Sequence, residues 1–206
     1  MSASVITRLE RMGRWEPDAR GRMVVAAMEL FAERGFDATT AGEIAERAGV
    51  TERTFFRHFP DKREVLFDST HAMDRLTVDA IAAAPDGLGP LEVALVGMTA
   101  GAGLLDDRHD HAARRATIIE SEPSLREREL LKLAGLTEAA ADALRRRGVA
   151  DPAAGLAAHT AVTVFHLAFV RWVADDAPPP IGEVMAGTAA ALRALTAAAP
   201  RAGRHA

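Results

Sequence analysis

Between Gly49 and Lys62 the chain reads "GVTERTFFRHFPDK", a stretch dense in cations, hydroxyls and aromatic rings. Over residues 47–63, Arg47, Arg53, Arg57, Lys62 and Arg63 stand against Glu52 and Asp61, in a chain of formal net charge −4. A local basic surplus suits a polyanion, because nucleic-acid affinity follows how charge is distributed rather than its total. Arginine can bond guanine O6 and N7 as a fork, worth about 1–3 kcal/mol of base discrimination. Hydroxyls, histidine and lysine suit phosphate, which sets register without carrying base information. The rings divide by spacing. Phe55 and Phe59 share one helix face, whereas Phe56 falls beside Arg53 and Arg57 on the wet side.

Other groupings are weaker. "RHDH" places His109 and His111 two apart, beside Asp106, Asp107 and Asp110, but residues two apart on a helix face away from one another. The stretch reads as a solvated loop rather than a metal site. Glu120 and Glu122 are paired carboxylates that helix-junction charge explains equally well. No nucleophile elbow, phosphate loop or zinc helix motif occurs. The chain has no cysteine, so disulfides and thiolate metal sites are excluded. No cofactor or metal is implied. No signal-peptide core is present, and no apolar run reaches the roughly 18 residues of a membrane span. A soluble, cytoplasmic protein is expected.

The elements that must position these residues are helices. Ala, Leu, Arg and Glu dominate and β-branched alternation is scarce, so the fold class is all-α. A first helix is expected over 19–34, burying Val24, Val25, Met28, Leu30 and Phe31 and ending at Gly35. Thr40 and Glu43 form a capping box for a helix over 41–48. Thr51 caps the next, which stops before Pro60. Asp61 and Glu64 form a second box, opening a long helix from Lys62 to Ala84. Further helices are expected over 91–105, up to Glu120, from Pro123 to Gly148, from Asp151–Pro152 to Ala174, and over 181–198. The result is an N-terminal three-helix domain over residues 1–64, a larger helical domain over 65–200 and a tail over 201–206, with about nine helices in all.

Two short helices joined by a glycine turn, the second rich in basic and hydroxyl residues, describe a helix-turn-helix. Ala45 is small enough for the axes to cross closely, and Gly49 supplies the positive φ of the turn. Ile44, Ala48, Val50, Phe55 and Phe59 make the buried side. Thr51, Glu52, Arg53, Thr54, Phe56, Arg57 and His58 are left outside, suited to a major groove. Thr51 and Glu52 come nearest the base edges. Thr54, His58 and Lys62 suit phosphate, as does Thr40 with the free N–H groups of its helix. Arg8, Arg11, Arg14, Arg20 and Arg22 could follow a minor groove, although Glu10, Glu16 and Asp18 offset them.

The segment "FAERGFDATTAGEIAERAGVTERTFFRHFPDKREVLF" closely resembles the DNA-binding region of the TetR family of bacterial transcriptional regulators, over about Ala19 to Phe67. Many members carry tyrosine where this chain has Phe56, so one phosphate hydrogen bond is lost here. The resemblance implies a ligand-responsive regulator, by default a repressor, that reads a pseudo-palindromic operator in double-stranded DNA. It also implies a small-molecule pocket in the C-terminal domain, for which Phe67, His71, Met98, His159, Phe165, His166 and Trp172 are candidates. The effector would be largely apolar with one polar group. The long helix after Lys62 would couple pocket to reader. The alternative is a helical ligand-binding protein or enzyme without an operator.

The last two helices carry apolar stripes: Leu156, Thr163, Val170 and Val173 on one, Ile181, Val184, Met185, Thr188, Leu192 and Leu195 on the other. Such stripes pack within a monomer or pair with two-fold mates as a four-helix bundle. The family resemblance favours the homodimer.

Overall fold

A computed structural model describes residues 18–197, and every regular element among them is helical. The arm bearing Arg8, Arg11 and Arg14 and the tail after residue 200 lie outside the described residues. The chain divides into two compact units after Asp68 rather than after residue 64.

In the first unit, α1 (Ala19–Arg34) is capped by Asp18, whose carboxylate accepts the Gly21 N–H at 2.7 Å. Its inward face is Met23, Ala26, Ala27, Leu30 and Phe31. Val25, expected inside, is exposed and Val24 half-buried. Positions 23, 27, 30 and 31 follow a 3-4 spacing that Val25 cannot join. α2 (Ala41–Arg47) and α3 (Glu52–His58) follow, α1 packing on α2 and α2 on α3.

The expected long helix from Lys62 is broken. Asp61 does accept the N–H groups of Arg63 and Glu64, at 2.7 and 3.2 Å. What they open, however, is a 3₁₀ turn over Glu64–Phe67 that packs on α1, and α-helix resumes only at α4 (Thr70–Ala83). Val65, Leu66 and Phe67 are all buried. Three consecutive residues cannot share one α-helical face, and the tighter turn brings all three inward.

The second unit adds α5 (Pro90–Ala102), a 3₁₀ segment (Gly103–Arg108), α6 (His109–Ser121), α7 (Pro123–Arg146), α8 (Ala153–Val173) and α9 (Ile181–Thr196). α5 is central, packed against α4, α8 and α9. The "DDRHDH" junction is helical rather than a loop because its side chains hold the α8–α9 connection. Asp106 accepts the Ile181 N–H at 2.8 Å, and Trp172 Nε1 donates to the Pro179 carbonyl at 3.0 Å. His109 Nε2 sits 3.0 Å from the Trp172 carbonyl, its ring edge-on to the indole. α8 begins at Ala153, not at Asp151, whose carboxylate is taken by Arg145 Nε at 3.0 Å. At 21 residues and mean hydropathy 1.6, α8 is long and apolar enough to cross a membrane, contrary to the expectation from sequence. Its inner side is nonetheless core, packed on α5, α7 and α9.

The α4–α5 crossing depends on Gly97 and Gly101. A β-carbon at Gly97 would lie 2.5 Å from Ile81 Cγ1 and 2.8 Å from the Thr77 carbonyl oxygen. One at Gly101 would lie 2.3 Å from Thr77 Oγ1 and 3.0 Å from the Met73 carbonyl oxygen. Two of those obstacles are backbone, which cannot rotate aside. Gly101→Ala is therefore expected to cost roughly 1–3 kcal/mol, the range of an overpacked core, measured as a lower urea midpoint with unchanged slope.

Candidate nucleic-acid interface

The geometry of α2 and α3 follows from their caps and their turn. Thr40 Oγ1 accepts the Glu43 N–H at 3.2 Å, and Glu43 Oε2 accepts the Thr40 N–H at 2.8 Å. The Thr40 N–H and, at 2.9 Å, its hydroxyl both donate to the Glu43 carboxylate and hold it below the ordinary range, against the opposing effect of burial and with Arg34 assisting. Gly49 adopts φ 69°, and the Val50 N–H closes the turn on the Ala45 carbonyl at 2.9 Å. Ala45 is buried. Thr51 caps α3 by accepting the Thr54 N–H at 3.2 Å.

The three rings separate as their spacing predicts. Phe55 is 0% and Phe59 1% exposed, whereas Phe56 is 50% exposed with its ring set edge-on against Phe55. Thr51, Glu52, Arg53 and Arg57 lie outside with it, and His58 is half-buried. Arg53 and Arg57 join no ion pair among the described residues. Thr54 is half-buried, its hydroxyl 3.0 Å from that of Thr51 and turned toward its own cap.

Several cations expected at this surface serve the fold instead. Lys62 Nζ donates to the carbonyls of Phe36 and Thr39, at 2.8 and 2.9 Å, and sits 4.2 Å from the Phe36 ring centre. A lysine ammonium has three donors, so two are spent on the α1–α2 loop before any phosphate. Arg47 bonds Glu33 and Glu29 on α1, and Arg63 bonds Asp61. Arg20 and Arg22, expected on an N-terminal arm, belong to α1. Arg20 pairs with Asp68 and lies over the Phe59 ring, and Arg22 Nε donates to the Ala48 carbonyl at 3.1 Å. Sequence charge counting cannot separate such clamps from readers, because apart from Arg63 their partners lie 14 to 48 residues away.

Residues 24–68 match the family model "Bacterial regulatory proteins, tetR family". The transcriptional regulator TcmR of Streptomyces glaucescens is 40% identical over 73 residues, 35% of this chain and 32% of TcmR. The transcriptional activator FasR of Mycolicibacterium smegmatis is 42% identical over 48 residues, 23% of this chain and 22% of FasR. Over these residues the chain is similar to the DNA-binding domain of the TetR family. The match spans only about a third of TcmR and under a quarter of FasR. For the whole chain, the fold is shared with the TetR-family repressor FadR of Thermus thermophilus, crystallised with lauroyl-CoA. That structure has a TM-score of 0.50 at 24% identity, over 91% of this chain and 100% of FadR.

Outside the helix-turn-helix, the expected pocket residues do not converge. Phe67 is buried in the first unit, on the 3₁₀ turn against α1. His71 is exposed near the start of α4. His159 and His166 are exposed on the outer side of α8, with Leu156, Thr163, Leu167 and Val170. The apolar sequence around them suggested an interior. Their spacing of seven instead places them on the face opposite Ala158, Ala161, Phe165, Ala168 and Trp172, which are buried. Only Met98, Phe165 and Trp172 of the candidates are in the core of the second unit.

The two stripes also divide. Leu156, Thr163 and Val170 on α8 are exposed, as is Leu195 on α9. Val173, Val184, Thr188 and Leu192 are half-buried. Ile181 and Met185, at 0% and 1% exposure, already pack within their own chain and cannot form an intermolecular face. The α8–α9 connection explains this, since Asp106 and Trp172 fasten the first turn of α9 inward.

Lys62→Met keeps the stem but removes the ammonium that gathers two loop carbonyls. It is expected to lower unfolding stability by about 2 kcal/mol, as for hydrogen bonds from a charged group, read by urea denaturation. A purely DNA-contacting lysine would leave the unfolding curve unmoved.

Proposed function

We propose that this protein is a ligand-responsive DNA-binding transcriptional regulator, acting in the cytoplasm as a homodimer. The observation that carries the reading is the outer face of α3. Phe56, Arg53 and Arg57 are exposed together on a helix whose other side is sealed by Phe55 and Phe59, and the two arginines have no carboxylate partner among the described residues. Exposing a phenylalanine among arginines makes physical sense where a sugar edge or thymine methyl meets the ring and phosphates meet the cations.

Thr51 and Glu52 at the start of α3 face the base edges in this reading, and Arg53 reads guanine. Arg57 and His58 take phosphate, and Thr40 offers the exposed N-terminus of α2 to another. Lys62 contributes its third donor. A second copy supplies the second reading helix, about 34–36 Å away in the next major groove. The outer face of α8, with Leu156, Thr163, Leu167 and Val170, is the surface we assign to that pairing, joined by Leu195 of α9. Repression relieved by a small molecule is the mode we favour, in line with the repressor FadR and its lauroyl-CoA complex.

Titration of the DNA upstream of its own gene is the decisive experiment, with binding expected to weaken steeply as salt rises. Binding that is absent, or indifferent to salt, rules the regulator out. Arg53→Ala is expected to lose about 1–3 kcal/mol and relax preference at one base pair, whereas Arg57→Ala weakens all sequences and lowers the salt slope by about one. Phe56→Tyr, which restores a phenolic donor, should tighten binding across sequences in gel shifts. Val170→Glu places a charge on the α8 face. It should yield a folded monomer in sedimentation and abolish operator binding, while an unchanged sedimentation coefficient would remove α8 from the interface.

A further inference from the structure

Among the described residues, two buried polar atoms of the second unit have no hydrogen-bond partner: Asp74 Oδ1 and Thr77 Oγ1. They lie one turn apart on α4 and so point into neighbouring sectors of the same side. Thr77 is 0% exposed, and the missing side chain of Gly101 leaves its hydroxyl against α5. Asp74 is half-buried toward α7, where Lys132 stands close enough to act on its charge. Burial nonetheless pushes the Asp74 carboxyl above the ordinary range, outweighing the opposing influence of His71, Lys132 and Arg75. Beyond these charged neighbours of Asp74, Met73 and Val78 on α4 and Leu133 on α7, which packs on α4, are apolar residues partly buried against the core.

Buried polar side chains are almost always paired, so two unpaired ones on adjacent turns require an explanation. Packing alone does not supply one. Leucine at 74 and valine at 77 would fill the same space without stripping an acceptor of water. Both atoms accept, and the threonine can also donate. Their complement is a group that donates, attached to an apolar body.

We infer that Asp74 and Thr77 form the polar recognition point of the effector site, selecting a largely apolar molecule that carries an ammonium or hydroxyl donor. The inference rests on the regulator reading for its biological meaning, but its chemistry can be tested apart from DNA. An acyl tail ending in a carboxylate offers Asp74 only another acceptor and is the disfavoured class.

The full chain is titrated calorimetrically at pH 7.5 with n-decylamine, n-decanol and n-decanoate, each below its micellar concentration. The amine and the alcohol are expected to bind at least tenfold more tightly than decanoate. Thr77→Val and Asp74→Leu should each erase that preference while remaining folded, and Thr77→Ser, which keeps the hydroxyl, should retain it. Decanoate binding as tightly as decylamine, no binding of any probe, or a preference that survives both apolar variants would overturn the assignment. Operator affinity measured without probe separates the two readings. DNA binding without donor preference sinks only this inference, and donor preference without DNA binding sinks only the regulator.

Discussion

Each unit is organised by residues with little or no side chain at a helix turn or crossing. In the first, Ala45 is buried on α2 and Gly49 turns the chain back at φ 69°. Phe55 and Phe59 are buried beside them, and their burial fixes the rotation of α3 about its own axis. Once the rotation is set, Arg53, Phe56 and Arg57 have nowhere to go but out. In the second unit Gly97 and Gly101 let α4 lie on α5, bringing Thr77 into an interior that a bulkier crossing would have kept from it. The exposed cations of α3 and the buried hydroxyl of α4 are thus placed by residues with almost no side chain of their own.

Charge is used in two ways on the helix-turn-helix. Arg20, Arg22, Arg47 and Lys62 are tied to carboxylates or backbone carbonyls of the first unit, holding α1, its loop and the reading motif together. Arg53 and Arg57 have no such tie among the described residues. An arginine bound within the fold keeps its charge but loses free donors. The cationic surface left free is therefore narrower and more sharply centred on α3 than the sum of basic residues implies. Exposed ion pairs of this kind contribute little stability one by one; here they act together to fix orientation.

The second unit shows a comparable division of apolar residues. α8 turns Ala158, Ala161, Phe165, Ala168 and Trp172 inward and leaves Leu156, Leu167 and Val170 exposed. An apolar row on the outside of an otherwise well-packed helix fits a surface completed by another copy. α9 contributes less to that surface than its stripe suggests, because Ile181 and Met185 are consumed by the core of the same chain. A carboxylate and a hydroxyl left unpaired on α4 then stand out as the polar feature that internal packing does not explain.

Local signals carried most of the first unit. Capping residues, the turn glycine and the four-residue spacing of two phenylalanines act within a few positions of one another, so the helix-turn-helix and the exposure of Phe56 were legible in the sequence. The break before α4 was not, since it arises from three consecutive residues answering to a core formed with α1. Nor was the duty of Lys62, Arg47 or Arg20, whose partners are distant in the chain. The Gly97–Gly101 spacing was a signal available to read, but only a facing helix gives it meaning. His159 and His166 were drawn toward an interior by apolar neighbours, although a helix displays both an inner and an outer face to any such run. The sequence by itself determined which segments are helical and how the reading motif is built, because hydrogen bonds and steric limits between near neighbours decide those. Tertiary structure alone decided which cations remain free, which stripe is left uncovered and which polar atoms are left without partners. Those outcomes depend on what lies opposite each side chain, and that is set only when the helices pack.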